Sequence, residues 1–482
     1  MSLHKSTLQP VRTLALLHNV SRLQFARLKG FENGVNPKDL ALLTDLYQLT
    51  MAQSYLESHK LEPATFSLFI RAYPHNRGFF VSAGLADVLE FLEQFAVDPA
   101  AIDYLHATKI FSDEFLDYLK QLRFTGEVWA IPEGRLFFKD EPVVEVTAPI
   151  IEAQIVETFI INQINLQSLV ATKAARCVYA AKGRGVVDFS LRRTHGIDAG
   201  MKVARSSYLA GFAGTSNVRA GQYYGIPIVG TMAHSFVSSF EEEIASFHAF
   251  VNSFPDNSIL LIDTYDTAEG ARKAVQVAKE MAAKGQRLRG VRIDSGDLAA
   301  LAFEVREIFD EAGLKDVTIV GSGGLDEYDL AKFSEANVPY DSYGVGTKMG
   351  VSGDAPWFDI AYKLVEYDAR PVLKLSTGKA TWPGRKQVWR LATSAGELEK
   401  DVVALREEAV SGAEAMLAKV MENGQRTGRP PSLGEIRSTF QQEFNRLPDP
   451  HKAIHHPTAY PVEFSAQLSA LRQEITRHRV HL

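Results

Sequence analysis

An arginine and an aspartate two residues apart, Arg292 and Asp294 in GVRIDSGDL at 290–298, are the strongest chemical signal in the chain. Their apolar neighbours predict a strand, and side chains two apart on a strand point to the same face. A buried ion pair that only supports packing would also explain them. We favour a functional interpretation because the Ser-Gly-Asp turn that follows opens the backbone, which packing alone does not require.

Two glycine-rich runs, VGSGG at 320–324 and GVGTK at 344–348, end two neighbouring predicted strands. Glycine lets backbone N–H groups approach an oxyanion, and a following helix N-terminus favours negative charge. Turns also need glycine, so one such run would be weak evidence. Two of them, with a threonine and a lysine attached, predict a phosphate site. Its candidate ligands are Gly323, Gly346, Thr347 and Lys348.

A histidine, His234, follows another predicted strand in GTMAH at 230–234. A single histidine is more often structural than catalytic. His234 nevertheless comes directly after a strand, and barrels carry their active sites at that end. We therefore treat it as a candidate catalytic residue. No HxxxH helix in the sequence supports a zinc site.

Phe189, Arg192 and Arg193 follow the first strand of the predicted series, in DFSLRR at 188–193. An aromatic ring with two guanidinium groups suits a planar anion, because the ring stacks and an arginine binds the carboxylate or phosphate through two parallel hydrogen bonds. Ser216, within GTSN at 214–217, ends the second strand and offers a hydroxyl.

The candidate residues therefore comprise anion ligands, one histidine and a few acids, without a nucleophilic serine or cysteine. This set argues against acyl transfer and favours a phosphorylated substrate. The single cysteine, Cys177, excludes an intramolecular disulfide and a cysteine metal cluster. A net charge of −6 gives no basic footprint for nucleic acid, and no apolar run approaches the roughly 18 residues of a membrane helix. We expect a cytoplasmic enzyme without a nucleic-acid or membrane partner.

From Gly185 onward, predicted strands alternate with amphipathic helices, which implies parallel pairing. We predict an α/β protein whose seven parallel strands close into a barrel, with an α+β layer preceding it in the chain. The seven strands are Val186–Ser190, Ala213–Ser216, Pro227–Met232, Ser258–Asp263, Leu288–Asp294, Val317–Gly321 and Asp341–Gly346. Apolar spacing also predicts one helix through Phe236–Val251 and another over Leu298–Phe309.

The 482 residues predict several domains. We expect an N-terminal extension (1–37), a sandwich domain (38–155), a catalytic barrel (156–364) and a C-terminal segment packing on the sandwich (365–482). In the sandwich, Thr44 is the expected N-cap of a helix ending near Ser58, and a long apolar helix from Glu152 to Ala181 leads into the barrel. The extension is basic, as a transit peptide would be, but a disordered extension is the preferred interpretation.

Six motifs together resemble the nicotinate phosphoribosyltransferase family: LLTDLYQLTM at 42–51, DFSLRRTHG at 188–196, GTSNVRAG at 214–221, GTMAHSFV at 230–237, GVRIDSGDL and GVGTK. The resemblance extends from about Leu42 to the C-terminus. It implies the irregular seven-stranded barrel of type II phosphoribosyltransferases beside an α/β sandwich domain. It also implies conversion of nicotinate and phosphoribosyl diphosphate (PRPP) into nicotinate mononucleotide and diphosphate, with Mg²⁺. ATP hydrolysis would be coupled through a phosphohistidine, in a homodimer with shared active sites.

The resemblance also implies roles for individual residues. His234 would be phosphorylated, and Asp294 would stabilise positive charge on the ribose or hold the metal. Metal ligands are left open between Asp294 and, through water, Asp263. The expected ligands of nicotinate are Tyr47 of the neighbouring subunit, Phe189, Arg192, Thr231 and Arg292. Thr347 and the loop glycines would hold a PRPP phosphate.

Three alternatives fit the sequence less well. A nicotinamide enzyme would want an acid to accept from the amide NH₂, and Ser216 stands where that acid is expected. A phosphosugar lyase or aldolase would need a Schiff-base lysine or a metal cluster, and Lys348 is the only lysine at a strand end. A catalytically inactive binding protein is disfavoured because every motif is intact.

Overall fold

The computed structural model describes residues 37–375 and 381–480, so residues 1–36 of the predicted extension lie outside the described residues. The N-terminal part begins with a 3-10 helix, Pro37–Leu42. Its other elements are α1 (Leu46–Glu57), β1 (Pro63–Ile70), β2 (Phe80–Val81), α2 (Leu85–Gln94), α3 (Pro99–Thr108), α4 (Asp113–Gln121), β3 (Glu127–Ala130), β4 (Leu136–Phe137), β5 (Val144–Pro149), α5 (Ile150–Ile155) and α6 (Glu157–Ala180).

The middle of the chain alternates strands and helices. Its elements are β6 (Gly185–Asp188), a 3-10 helix (Leu191–Arg193), α7 (Ile197–Leu209), β7 (Gly214–Thr215), α8 (Val218–Tyr224), α9 (His234–Val237), α10 (Glu243–Ser253), a 3-10 helix (Pro255–Asn257), β8 (Ile259–Leu261), α11 (Thr267–Ala283), β9 (Gly290–Ile293), α12 (Leu298–Glu311), β10 (Thr318–Gly321), α13 (Glu327–Glu335), β11 (Ser342–Val345) and α14 (Thr347–Gly350).

The C-terminal part is mainly β-structure followed by helices. Its elements are β12 (Ile360–Tyr367), β13 (Arg370–Pro371), β14 (Lys386–Ala392), β15 (Leu398–Leu405), β16 (Glu414–Ala415), β17 (Ala418–Glu422), β18 (Gln425–Arg426), α15 (Leu433–Arg446), α16 (Asp449–Lys452), β19 (Val462–Phe464) and α17 (Ala466–Val480).

Six strands of the middle part form one parallel sheet in the order β7-β6-β11-β10-β9-β8. The strands are buried and apolar because helices cover the sheet. In α12, Ala302, Val305 and Phe309 are fully buried at the predicted helical spacing, and Asp297 caps its N-terminus by accepting from the Ala300 amide at 3.2 Å. The α/β class is therefore confirmed.

The predicted strand Pro227–Met232 is wrong. Only Ile228 pairs, through a parallel bridge to Thr215 at the edge of the sheet. Pro227 has no N–H to donate to a ladder, and Ile228 is 60% exposed, whereas a parallel strand needs both faces covered. In the described residues, the backbone of this edge and that of β8 at the other edge share no hydrogen bond.

Three helix predictions also need correction. The helix through Phe236–Val251 is two helices, α9 and α10, because Phe240 and its neighbours turn the chain. The helix Glu152–Ala181 begins earlier and breaks at Val156 between α5 and α6. Thr44 is not the N-cap of α1: its hydroxyl donates to the Ile155 carbonyl at 3.2 Å, so Asp45 occupies the cap position instead.

The two ends of the chain share a second sheet. Strands β1, β3 and β5 pair among themselves and with β12 and β17, in the order β13-β12-β1-β5-β3-β17-β18. A four-stranded sheet, β16-β14-β15-β19, comes from the C-terminal part alone. The limits proposed above for the domains stay a prediction. Among the described helices, none is long and apolar enough to cross a bilayer.

Candidate active site

The predicted site residues gather at one edge of the parallel sheet. Of these, Ser216, Asp294 and Gly346 each follow the last residue of a strand, and Asp188 and Ser322 stand at the ends of two strands beside them. Because all six strands run in the same direction, their carboxyl ends meet at this edge. Sequence spacing alone had predicted this grouping.

The carboxylate of Asp263 links the ends of β8 and β9. Its Oδ2 atom accepts from the Asp294 backbone N–H at 2.9 Å and from the Ser295 hydroxyl at 2.6 Å. Its Oδ1 atom is buried and has no hydrogen-bond partner among the described residues. A buried carboxylate oxygen without a partner is costly, so this atom is suited to a ligand such as water or a cation.

A residue that follows a third strand, β10, also makes a hydrogen bond to Asp294. The Ser322 hydroxyl, after β10, donates to Asp294 Oδ1 at 2.5 Å. Between the same two strand ends, a Cβ added to Gly323 would lie 2.0 Å from the Asp294 carbonyl oxygen, and Gly323 has a φ of +104°. Only glycine fits there, and this close approach brings the loop after β10 against the Asp294 backbone.

His234 lies between the two edges of the sheet. Its Nδ1 atom is 3.1 Å from the Thr264 hydroxyl, after β8, and its Nε2 atom is 3.7 Å from Asp294 Oδ2. The histidine therefore faces the same carboxylate that Asp263 and Ser322 position. Sequence spacing had not linked His234 with Asp294, because 60 residues of chain separate them.

Arg292 offers an unused donor beside these acids. Its Nε atom is buried and has no hydrogen-bond partner in the described residues. Its pKa is lowered by burial; the charges of Asp294 and Asp263 oppose that shift, and the charge of Arg192 adds to it. A half-buried arginine with a buried, spare Nε donor, and a second arginine close enough to influence it, favours a bound anion.

Asp188 is a structural residue of the site whose role the sequence did not reveal. Its carboxylate accepts from the Ser190 amide at 2.8 Å, the Ser190 hydroxyl at 2.5 Å and the Thr215 hydroxyl at 2.7 Å. Burial raises its pKa, although these hydrogen bonds oppose the shift. The sequence signal that could have identified Asp188 is its position at the end of an apolar strand. Asp263 has the same kind of position.

The loop that Asp188 holds presents Phe189 to the site. A Cβ added to Gly344 of β11 would lie 2.5 Å from the Phe189 ring, so the ring packs directly on that glycine. Ser216 is half-buried nearby, since its backbone N–H donates to the Asp188 carbonyl at 2.8 Å. Thr231 is also half-buried and donates weakly to the Met232 carbonyl at 3.4 Å.

The predicted phosphate loop ends β11. Gly346 and Thr347 begin the short helix α14, and Thr347 accepts a hydrogen bond from Arg193 Nη1 at 3.2 Å. Lys348 points elsewhere: its Nζ atom lies 3.1 Å from Asp329 and 3.4 Å from Asp326.

Tyr47 was also predicted to be a site residue, but none of its described contacts is with the sheet edge. It is 49% exposed at the start of α1, where its neighbour Gln48 donates to Glu157 at 2.9 Å. Burial raises the pKa of Tyr47, and the charges of Glu157 and Asp45 add to that shift.

The assembled edge combines three arginines, three aspartates and one histidine around exposed glycine backbone. Among the described residues, it includes no serine or cysteine hydrogen-bonded to a histidine ring; His234 contacts the Thr264 hydroxyl and Asp294. Groups of three acidic, histidine or cysteine side chains that could hold a metal by themselves are absent from the described residues. The arrangement suits binding of an anionic substrate and electrostatic stabilisation of positive charge.

Comparison with known proteins identifies relatives along most of the chain. The family models of the nicotinate phosphoribosyltransferase N-terminal domain, family and C-terminal domain match residues 42–165, 185–376 and 409–472. A nicotinate phosphoribosyltransferase of Mycobacterium tuberculosis, pncB2, is 47% identical over 430 residues, 89% of this chain and 92% of its own length. That of Bacillus subtilis is 36% identical, with 90% of this chain and 94% of its own length covered.

Solved structures agree with these sequence relatives. Human nicotinic acid phosphoribosyltransferase superposes with a TM-score of 0.81 at 30% identity, covering 90% of this chain and 99% of its own. A nicotinate-nucleotide pyrophosphorylase of Pyrococcus furiosus has a TM-score of 0.71 at 24% identity, with 86% and 97% covered, and shares the fold.

The close approach at Gly323 predicts a position-specific loss of stability. Gly323→Ala should lower the free energy of unfolding by roughly 3 kcal/mol or more, because a clash with the Asp294 carbonyl adds to the cost of positive φ. Gly324→Ala is the matched control: its φ is +74° but nothing lies within 4 Å, so only about 1 kcal/mol should be lost. Urea unfolding of both variants measures this, and equal losses would contradict the close approach.

Proposed function

We propose that this chain, which belongs to the nicotinate phosphoribosyltransferase family, transfers the phosphoribosyl group of PRPP to nicotinate, giving nicotinate mononucleotide and diphosphate. The reaction would serve NAD synthesis from nicotinate. The observation that carries the proposal is the buried Nε donor of Arg292, which has no partner among the described residues and lies at the sheet edge with Asp294.

Nicotinate is proposed to bind with its carboxylate toward Arg292 and Arg192 and its ring against Phe189. Phe189 packs on Gly344 and is half-buried at this edge, so its ring would be available for stacking. Ser216 and Thr231 are half-buried hydroxyls at the same edge and would hydrogen-bond the substrate. Neither brings a negative charge that would repel a carboxylate, which favours nicotinate over nicotinamide.

Catalysis is proposed to rest on electrostatics and positioning. As diphosphate leaves C1 of the ribose, positive charge develops on the sugar, and the carboxylate of Asp294 would stabilise it. The ring nitrogen of nicotinate already has a free lone pair, so no general base is needed. The supports from Asp263, through the Asp294 backbone, and from Ser322 hold that carboxylate before the substrate arrives.

Mg²⁺ is the proposed cofactor, and the acids present fit it. Mg²⁺ is usually held by one or two carboxylates together with water and substrate phosphates. Asp294 and the partnerless Oδ1 atom of Asp263 supply such oxygens. When bound, the cation would neutralise the charge of the leaving diphosphate.

ATP is proposed as a co-substrate that phosphorylates His234. The Nε2 atom of His234 faces Asp294, whereas Nδ1 lies by the Thr264 hydroxyl. A phosphate on this ring would introduce a dianion beside the PRPP site and draw Mg²⁺ or arginines inward.

We also infer that the parallel sheet closes into a barrel. His234 follows the segment that pairs at the β7 edge, and its ring contacts Thr264 after β8, which is the strand at the other edge.

The active unit is proposed to be a homodimer with shared sites. Tyr47 is half exposed on α1, and Leu43 and Leu46 beside it are 46% and 56% exposed. An apolar patch of this kind is suited to a protein partner. Tyr47 would then stack on nicotinate in the partner's site, opposite the Phe189 of that subunit.

Substrate choice tests the anion site. Purified enzyme should use nicotinate and essentially reject nicotinamide in a PRPP-dependent assay. Ser216→Asp should raise the KM for nicotinate roughly tenfold or more by like-charge repulsion, with Ser216→Asn as the neutral control. Comparable kcat/KM for the two pyridines, or an unchanged KM in Ser216→Asp, would contradict the proposed geometry.

Labelling with γ-³²P-ATP tests the phosphohistidine. His234→Asn should abolish acid-labile label and nicotinate-dependent ATP hydrolysis, while some ATP-independent transfer persists at high PRPP. His248→Asn is the control, because this half-exposed histidine of α10 pairs with Glu280 at 2.8 Å and should still allow labelling. Label remaining on His234→Asn would identify another phosphoacceptor.

Subunit mixing tests the shared site. Tyr47→Ala and Asp294→Ala should each be inactive alone, and heterodimers of the two should regain activity because one of their two sites is intact. The two variants would carry different affinity tags, so that heterodimers are purified before assay. Absence of activity in purified heterodimers would refute the shared site.

A further inference from the structure

The loop after β6 carries an arginine, Arg193, whose positive charge is not neutralised by a neighbouring acid. Arg193 is exposed, and none of the ion pairs among the described residues includes it. Its Nη1 atom donates to the Thr347 hydroxyl at 3.2 Å. That hydroxyl accepts from the arginine, so its own hydrogen is available to a further acceptor.

Lys348, the other cation of the phosphate loop, is already paired. Its ammonium group lies between the carboxylates of Asp326 and Asp329, at 3.4 and 3.1 Å. Burial alone would lower the pKa of Lys348, but the hydrogen bond that its ammonium group donates to Asp329 and the two negative charges raise it. A phosphate at Thr347 would therefore meet the unneutralised charge of Arg193 rather than that of Lys348.

The position of Arg193 is fixed by tight packing of its loop on α14. A Cβ added to Gly350 would lie 2.5 Å from the Ser190 Cβ, and one added to Gly346 would lie 3.2 Å from the Phe189 carbonyl. The Arg193 backbone N–H also donates to the Ser190 carbonyl at 2.8 Å. The guanidinium is thus carried on a rigid support, which reduces the entropy lost when it binds.

We propose that Arg193 and Thr347 together bind a phosphate group of the phosphoribosyl substrate, with Arg193 supplying the charge. The proposal deepens the function proposed above and rests on it. A guanidinium binds a phosphate through two parallel N–H donors, and a neighbouring hydroxyl adds a third. The phosphate is either the monoester on the ribose or the diphosphate, which share this chemistry.

Steady-state kinetics of the full chain test the role of Arg193. Arg193→Gln should raise the KM for PRPP roughly 10- to 100-fold while kcat and the KM for nicotinate change little, because a charge-assisted contact to bound substrate is lost. Arg193→Lys should fall between the wild type and Arg193→Gln. Lys348→Gln should raise the KM for PRPP less than Arg193→Gln does.

A surface control and a binding measurement complete the test. Arg287→Gln, which removes an exposed arginine paired with Asp316 at the opposite ends of the strands, should leave the KM for PRPP unchanged. Calorimetric titration with ribose 5-phosphate and, separately, with diphosphate identifies the group: only the ligand that contacts Arg193 should bind more weakly to Arg193→Gln. Thermal unfolding should be unchanged, since the side chain is exposed.

The outcomes separate the two proposals. A KM for PRPP in Arg193→Gln within about twofold of the wild-type value, or a larger effect of Lys348→Gln, would overturn the role of Arg193 and leave the proposed function standing. Wild-type enzyme that binds ribose 5-phosphate or diphosphate through Arg193 but does not convert nicotinate would overturn the function and leave the phosphate site standing.

Discussion

The site depends on one buried carboxylate, that of Asp263. It accepts from the Asp294 backbone and from Ser295, so it fixes the end of β9 relative to β8. With Ser322 on the other side, Asp294 is held by groups from both neighbouring strands. Because these donors are part of the folded sheet, the Asp294 carboxylate needs little reorganisation when charge develops near it. The same two acids lower the cost of burying the Arg292 guanidinium beside them.

Buried ion pairs connect the parallel sheet with the long helix α6. Lys173 and Arg176 of α6 both pair with Glu327 at the start of α13, and Lys173 also reaches Asp354 after α14. Glu327 lies just after the loop of Gly323, so this network fixes the backbone that approaches Asp294. Removing one partner from such a network would leave an uncompensated buried charge, which is costly. The helix therefore supports the site without contributing a ligand to it.

Two neighbouring cations, Lys348 and Arg193, have different electrostatic surroundings in the folded chain. Lys348 and Arg193 both follow strand ends that pair with each other, through Val345 and Asp188. The carboxylates of α13 and its cap neutralise Lys348, whereas Arg193 donates to the Thr347 hydroxyl and has no ion pair within the described part of the chain. Sequence spacing singled out the lysine because it belongs to the glycine-rich run. Packing of α14 on the β6 loop, which no local pattern encodes, decides which cation remains available.

The sequence by itself determined the α/β class, six of the seven predicted strand positions, and the edge at which the polar residues gather. Those follow from local periodicity and from parallel direction, which apolar spacing encodes. It did not determine that Pro227–Met232 lacks a strand, because only the folded sheet reveals that the segment is an exposed edge. The His234–Asp294 approach, the partnerless Arg292 donor and the supporting role of Asp188 also required the tertiary structure. These are contacts between strand ends tens of residues apart, and their geometry is set by sheet register and glycine-sized gaps rather than by spacing along the chain.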